Sequence, residues 1–244
     1  MDKGRKRNLL ALIALFLGGA IPIQLVTLSF GYAQYIRKES LGPKVILTAH
    51  EFAEWYIPFV YIPALLGLLG IGLYCRKRYP DIWRRIWVGF AMGATATLAL
   101  DAIRQMGVIH GWLPGDTPVM FGKMATGSSV FSEYYWAGLA IHFINGANFG
   151  IVYAFVWGKR KSAVQAAIWG VVWSETMELG MMLGPPMGPM VGLFGVRYAW
   201  PQLFALTFVA HIAFGLAMGL LVQHFLTNRE HGPVVRLNRS PVAN

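Results

Sequence analysis

The amino-acid sequence predicts an all-α, polytopic membrane protein folded as a helical bundle. Of its 244 residues, 56% are hydrophobic and only 13% are charged, and the mean hydropathy is +0.49. This balance is too apolar for an ordinary soluble domain. The apolar residues gather in six stretches, each long enough to cross a hydrocarbon core ~30 Å thick at about 1.5 Å per residue. The six predicted transmembrane helices cover about residues 9–30, 53–75, 86–108, 133–157, 163–184 and 202–226.

The basic residues alternate between the predicted loops. Fifteen of the 21 Lys and Arg residues precede the first span, separate the second from the third or the fourth from the fifth, or follow the sixth. The positive-inside rule therefore predicts that both termini lie in the cytoplasm. Because the net charge of +10 is divided among these loops, it predicts contact with anionic lipid headgroups and argues against nucleic acid as a partner.

The first span follows a basic segment and ends near Gly31-Tyr32-Ala33, a weak cleavage signal. Its apolar run is longer than the hydrophobic region of a signal peptide, so we predict a membrane anchor. The predicted organisation has three parts. An N-terminal transmembrane hairpin with a basic loop covers residues 1–84, a four-helix core covers residues 85–227, and a flexible cytoplasmic tail covers residues 228–244.

Two histidines lie inside predicted spans, and each begins the same pattern. The patterns are His142-x3-Gly146-x3-Gly150 and His211-x3-Gly215-x3-Gly219. Each of these spans follows one with a carboxylate near its outer end, Asp101 in the first case and Glu178 in the second. An ionisable residue at the centre of a membrane helix costs roughly 2.5 to 3.5 kcal/mol on insertion scales, so these residues are functional candidates by default.

The two acid-and-histidine pairs predict a tandem repeat of hairpins, formed by helices 3–4 and helices 5–6. The histidines are 69 residues apart and the acids 77 residues apart, a difference the size of a loop. Both hairpins would start and end in the cytoplasm, as in membrane proteins with parallel repeats. All four side chains are expected roughly 9 to 14 Å below the outer boundary, in one layer.

The glycines of each pattern form a narrow stripe, since residues four apart share one side of a helix. Such a stripe admits either another helix backbone or a flat cofactor. Plain helix packing accounts for the glycines alone. The alternative is haem b held by His142 and His211, with Gly146 and Gly215 leaving room for the porphyrin edge, which would make the protein an electron-transfer subunit.

The carboxylates extend the histidines into a predicted metal site. Glu175 lies one turn from Glu178, and two carboxylates this close require a shared proton or cation in a medium of low dielectric constant. Nitrogen and oxygen ligands in a bundle suit iron, copper, manganese or zinc, and predict redox chemistry on a lipophilic substrate such as a quinone. The predicted ligands in the outer half of the bundle are His142, His211, Glu175, Glu178, Asp101 and Glu54, with His50 and Glu51 as weaker candidates.

Two further interpretations stay open. In a proton-coupled transporter, the same acids and histidines would relay protons, although no ionisable groups of this kind continue into the cytoplasmic half. In an anchoring or assembly subunit, buried polar groups would only hydrogen-bond one another between helices, and partner subunits would carry the activity. For Asp101, a local ion pair with Arg104 is the simplest role. Enzymatic activity is left undecided.

The two outer segments, residues 109–132 and 184–201, are rich in Gly, Pro and Met and are expected to lie in the interface or to fold over the site. From residue 86 to 226, the order of these signals resembles a family of small uncharacterised four-helix bacterial inner-membrane proteins. The resemblance implies a four-helix core in a bacterial inner membrane, and it implies no chemistry because no activity is assigned to that family. The chain departs from it by an extra N-terminal hairpin and by Glu175 and Glu178.

Overall fold

The computed structural model describes residues 2–38 and 43–235. Its first two helices, α1 (Lys3–Arg37) and α2 (Lys44–Arg78), form an antiparallel hairpin. A π-helical segment interrupts each of them, Phe16–Ala20 in α1 and Ile57–Tyr61 in α2. A proline follows each segment two residues later, and its missing N–H removes a regular α-helical hydrogen bond at that point.

The remaining chain forms a four-helix unit with two short helices in its outer segments. Among the described residues there is no β-strand, which confirms the all-α prediction. The long helices are α3 (Pro80–Ile109), α5 (Phe131–Val156), α6 (Ala163–Leu183) and α8 (Gln202–Phe225). The short helices are α4 (Thr117–Thr126) and α7 (Met187–Val191).

Five of these helices, α1, α2, α3, α5 and α8, are long and apolar enough to cross a membrane. A bundle with this many such helices fits an integral membrane protein. The sixth predicted span forms as α6 over 21 residues, but Glu175 and Glu178 make it less apolar than the others. The crossing by α6 stays a prediction, as do the sides of the membrane on which the termini lie.

Both described termini lie at one end of the bundle, together with the α2–α3 turn and the α5–α6 loop. We call this the basic end, because Lys and Arg residues gather there as the sequence predicted. Arg7 forms an ion pair with Asp81, and its guanidinium donates to the carbonyl oxygen of Val234 at 3.0 Å. The N-terminal residues, the start of α3 and the C-terminal segment are therefore tied together.

Glycines bring the helices of the four-helix unit into backbone contact. A Cβ added at Gly93 in α3 would meet the carbonyl oxygen of Gly146 in α5, and would lie 2.9 Å from the Cα of Gly150. The helices α6 and α8 meet in the same way, where a Cβ at Gly170 would meet the carbonyl oxygen of Gly215. The glycine patterns therefore serve close helix packing.

The N-terminal hairpin shares its core with the four-helix unit. One cluster of buried apolar side chains joins Phe30 of α1 and Tyr61 of α2 with Met124, Ile141 and Leu203 of the later helices. The helix α3 begins at Pro80, a few residues before the predicted start of the four-helix core at residue 85. The division into parts stays a prediction of the sequence.

The segment after α8 is held against the bundle. Arg85 of α3 is 1% exposed, and its guanidinium donates to the carbonyl oxygens of Glu230 at 2.6 Å and Gly232 at 2.8 Å. Where a flexible tail was predicted, residues 228–235 thus pack on the basic end, because a buried guanidinium bonds their backbone. The rest of that predicted tail, residues 236–244, lies outside the described residues.

Candidate functional site

A cavity of about 400 Å³ lies inside the bundle towards the end opposite the basic end. Its walls come from α1, α3, α5, α6 and α8. Residues of the two outer segments close it on the outside, among them Leu113 and Met120 from the first and Pro185 and Met187 from the second. The outer segments therefore fold over the interior, which is one of the two arrangements expected for them.

The lining of this central cavity is mainly apolar, with a small number of polar side chains. The polar set includes His142 and Asn145 from α5, Arg104 from α3, and Thr207 and His211 from α8. Apolar walls with a few convergent polar groups are typical of sites that bind small molecules, whose volumes run from ~300 to 1,000 Å³. The central cavity is therefore the best candidate site.

Asp101 joins two partners at the cavity wall. Nε2 of His142 donates to Oδ1 of Asp101 at 2.8 Å, and Nε of Arg104 donates to the same oxygen at 2.8 Å. The other side of the Arg104 guanidinium forms an ion pair with Asp116 in the first outer segment. The predicted first acid-and-histidine pair and the local pair with Arg104 are both present.

The network uses only one of the two ring nitrogens of His142. Asp101 and Asp116 flank the Arg104 guanidinium, and Asp101 also accepts from His142. Because Nε2 of His142 is bonded to Asp101, the other ring nitrogen, Nδ1, is the one available to a molecule in the cavity. A carboxylate in this position fixes the orientation of the imidazole ring.

The second acid-and-histidine pair is connected through Thr207. The Thr207 hydroxyl donates to Oε1 of Glu178 at 2.8 Å, while Nδ1 of His211 donates to the Thr207 carbonyl oxygen at 2.8 Å. Since Nδ1 holds the ring proton for that bond, Nε2 of His211 is left as a hydrogen-bond acceptor. His211 borders the cavity, whereas Glu178 is fully buried behind it.

The two acid-and-histidine pairs differ in the residue that lies one turn before the histidine. Thr207 lies one turn before His211, and the matching position before His142 is Gly138. A Cβ at Gly138 would meet the carbonyl oxygen of Pro118 in α4, so a threonine has no room there. Asp101 bonds His142 directly, whereas Glu178 bonds Thr207.

The carboxylates of α6 are poorly satisfied. Oε2 of Glu178 and both carboxylate oxygens of Glu175 are buried and have no hydrogen-bond partner among residues 2–38 and 43–235. Neither side chain lines the cavity. A buried carboxylate without donors costs free energy, so these two residues are unusual features of α6.

The predicted metal ligands do not gather at one point. Within the described ranges, no three His, Cys, Asp or Glu side chains are close enough together to hold a metal ion. Glu54 and Glu51 are exposed, and Nδ1 of His50 donates to the carbonyl oxygen of Met124 at 2.9 Å. The physical reason is helix pairing, because α3 turns Asp101 towards α5 while α6 turns Glu178 towards α8.

The two glycines of the haem alternative, Gly146 and Gly215, contact neighbouring helices. A Cβ at Gly146 would meet the Thr97 hydroxyl, although Gly146 also borders the cavity. A Cβ at Gly215 would lie 2.8 Å from the carbonyl carbon of Gly170. Both glycines therefore serve close contacts between helices, and haem b stays a prediction.

The sequence analysis missed two asparagines that continue from the cavity towards the basic end. Asn145 and Asn148 lie three and six residues beyond His142 in α5. Asn148 is fully buried, and neither atom of its amide has a hydrogen-bond partner in the described part of the chain. Both groups are neutral, so a pattern of ionisable residues does not include them. The position of Asn145 on the side of α5 that carries His142 is the signal that could have identified it.

The chain matches no family model, no curated protein and no solved structure. The resemblance over residues 86–226 therefore stays a prediction.

Proposed function

We propose that the protein binds a lipophilic small molecule with a polar ring, of the quinone and quinol type, in the central cavity. The observation that carries the proposal is that His142 and His211 border the same apolar cavity. The two imidazoles differ in what they offer. His142 presents Nδ1, which an imidazole can use as a donor or as an acceptor, whereas His211 presents Nε2 as an acceptor.

This combination suits a ring that changes between carbonyl and hydroxyl forms. A quinone carbonyl accepts a hydrogen bond, and the hydroxyl of the reduced quinol donates one. Asp101 holds His142 at 2.8 Å, which makes the pair a suitable proton donor and acceptor for such a change. A lipophilic ligand would reach the cavity from the bilayer, in which it concentrates.

Equilibrium binding of a short-chain quinone analogue to the purified protein tests this proposal. We expect saturable binding of one molecule per chain. His142→Phe and His211→Leu should each weaken it about tenfold or more, since one lost hydrogen bond to a buried polar group costs roughly 1.4 kcal/mol. The matched control is His224→Phe, because His224 is exposed near the basic end of α8.

The control should bind the analogue with the affinity of the unchanged protein. Unsaturable uptake that follows only the amount of detergent or lipid would contradict the proposal. An equal loss of affinity in His224→Phe would contradict it as well, because that histidine does not line the cavity.

A metal site is the second candidate, and the orientation of His211 favours it. A histidine whose Nδ1 bonds a backbone carbonyl, as His211 bonds Thr207, is oriented in the way common among metal ligands. His142 and a bound ligand would have to complete the coordination of iron, copper, manganese or zinc. Elemental analysis of the protein and of His211→Ala distinguishes this oxidoreductase site from simple ligand binding, and a Soret band would indicate haem b.

We also infer a tandem repeat, with the basic end in the cytoplasm of a bacterial inner membrane. Matching contacts support the repeat, because the Thr97 hydroxyl lies beside Gly146 and the Ser174 hydroxyl donates to the carbonyl oxygen of His211 at 2.7 Å. Thr97 and Ser174 each lie four residues before the acid of their hairpin. Labelling of single cysteines at the two ends by a membrane-impermeant reagent tests the orientation.

A further inference from the structure

A second cavity lies at the basic end, on the surface of α3. It is an open groove of about 1080 Å³. One side is formed by the first turns of α3, including Arg84, Trp87 and Val88. The other side is the segment from Thr227 to Glu230 that follows α8. None of these residues lines the central cavity, so the groove is independent of the proposed function.

The groove carries an excess of positive charge. Its cations are Arg7, Arg84 and Arg229, against the two carboxylates of Asp81 and Glu230. The negative charge of Asp81 is neutralised by its ion pair with Arg7. The Glu230 side chain is 3% exposed and its Oε2 lies 3.8 Å from Nε of Arg84. Arg229 is exposed, and no ion pair joins it to a carboxylate within the described ranges, so one positive charge is left over.

The guanidinium of Arg84 is fixed and accessible. Its Nε and Nη2 donate to the carbonyl oxygen of Phe225 at 3.2 and 2.9 Å, at the C-terminus of α8. The side chain remains 46% exposed. Because a carbonyl oxygen is neutral, this contact orients the guanidinium without neutralising its charge, and the carboxylate oxygen of Glu230 lies no nearer than 3.8 Å.

Apolar aromatic surface continues from these cations along α3. Trp87 is 55% exposed, and its ring stacks on Trp83 at a centroid distance of 5.9 Å and on Phe90 at 6.3 Å. Trp87 and Val88 lie three and four residues beyond Arg84, or about 5 to 6 Å further from the basic end. The groove is therefore cationic at the basic end and apolar towards the middle of the bundle.

We propose that this groove binds one anionic phospholipid of the surrounding bilayer. Arg84 and Arg229 hold its phosphodiester, whose single negative charge matches the excess positive charge. Its acyl chains lie along Trp87 and Val88. Basic pockets beside transmembrane helices recognise anionic headgroups, and tryptophan favours the depth at which headgroups meet chains. Dissolved phosphate would lack the apolar contact, and a zwitterionic lipid would bring its own cation next to the arginines.

Lipid titration of the delipidated full-length protein in neutral detergent tests the proposal. Native mass spectrometry would count the bound lipid for phosphatidylglycerol, which is anionic, and for phosphatidylcholine, which is zwitterionic. We expect one tightly held phosphatidylglycerol per chain, with an affinity about tenfold or more above that for phosphatidylcholine. Arg84→Gln combined with Arg229→Gln should weaken phosphatidylglycerol binding about tenfold or more, because two cations near the phosphate are lost.

Two further variants separate the groove from general surface charge. Arg76→Gln combined with Lys161→Gln removes the same charge from exposed positions of the basic end outside the groove, and it should keep the affinity within about twofold. Arg84→Lys keeps the charge and should also retain most of the affinity. If Arg84→Gln unfolds the protein, the single variant Arg229→Gln tests the proposal. It should weaken phosphatidylglycerol binding about fivefold.

Three results would overturn the proposal. The first is an equal loss of affinity in the groove variants and in the Arg76 and Lys161 control, which would show a diffuse charge effect. The second is equal binding of the two lipids. The third is displacement of phosphatidylglycerol by inorganic phosphate at a similar concentration, which would show a site for free anions.

Discussion

Nε2 of His142 donates to Oδ1 of Asp101 at 2.8 Å, and the two residues are 41 positions apart in the chain. The bond crosses from α5 to α3 at the wall of the central cavity. It is possible because Gly93 and Gly146 allow the two helix backbones to touch one to two turns further towards the basic end. Helix packing thus positions the polar pair on which the proposed function rests.

A double-mutant cycle measures the strength of this bond. Asp101→Asn, His142→Gln and the combination of both should show a coupling of about 0.6 to 1.7 kcal/mol in the free energy of unfolding, the range found for hydrogen bonds between membrane helices. Unfolding in mixed micelles with increasing dodecyl sulfate measures the free energy of unfolding of each variant relative to the unchanged protein. Strictly additive effects would show that the two side chains do not interact.

The backbone contact between α3 and α5 predicts a severe effect of one added methyl group. Gly93→Ala should lower the free energy of unfolding by about 1 to 3 kcal/mol, because the new Cβ meets the backbone of α5, which cannot move aside without separating the helices. Gly70→Ala in α2 is the control, since a Cβ there has no atom within 4 Å. It should be neutral or raise stability by up to ~1 kcal/mol through helix propensity.

Arg85 should decide whether the C-terminal segment stays on the bundle. Arg85→Gln is expected to destabilise the segment around Gly232 by about 2 to 3 kcal/mol, because the buried guanidinium donates two bonds to this segment, besides a third to the carbonyl oxygen of Ala154 in α5. Hydrogen exchange followed by mass spectrometry should show faster exchange in residues 228–235 and unchanged exchange in α6. Arg76→Gln, at an exposed position of the same end, should alter neither, and unchanged protection in Arg85→Gln would contradict this role.

Two carboxylates of the four-helix unit should respond in opposite ways to removal of their charge. Asp101→Asn should lower the free energy of unfolding by about 1 to 3 kcal/mol, since its oxygen accepts from two donors. Glu178→Gln should leave the stability unchanged or raise it by up to ~2 kcal/mol. It keeps an acceptor for Thr207 and removes a carboxylate whose second oxygen has no described donor. Dodecyl sulfate unfolding compares them, and a larger loss in Glu178→Gln would reverse the argument.

Filling the cavity should separate ligand binding from stability. Ala210 borders the cavity and is 3% exposed, so Ala210→Phe should reduce binding of the quinone analogue about tenfold or more while the helices still pack. Ala102→Phe, on an exposed face of α3, is the matched control and should bind normally. Circular dichroism of both variants confirms that the helices are intact. Unchanged binding in Ala210→Phe would place the ligand elsewhere.

Much of the fold follows from local patterns in the sequence. Long apolar stretches predict helices, and the four later spans agree with α3, α5, α6 and α8 to within several residues. The first two helices extend well beyond their apolar stretches, since polar residues such as Arg5 and Lys77 continue them outside the predicted membrane core. Hydropathy detects a membrane boundary, whereas the helix ends where its backbone bonding ends.

The sequence by itself determined the helical class and the basic end, and it identified an acid and a histidine as candidate groups in each predicted hairpin. The tertiary structure decided what those residues touch. Glycine contacts set the rotation of each helix against its neighbour, and this rotation turns Asp101 to His142 but Glu178 to Thr207. Because side-chain contacts across helices depend on rotation and depth to within a few Å, residue spacing along the chain could identify the candidate groups but could not decide their partners.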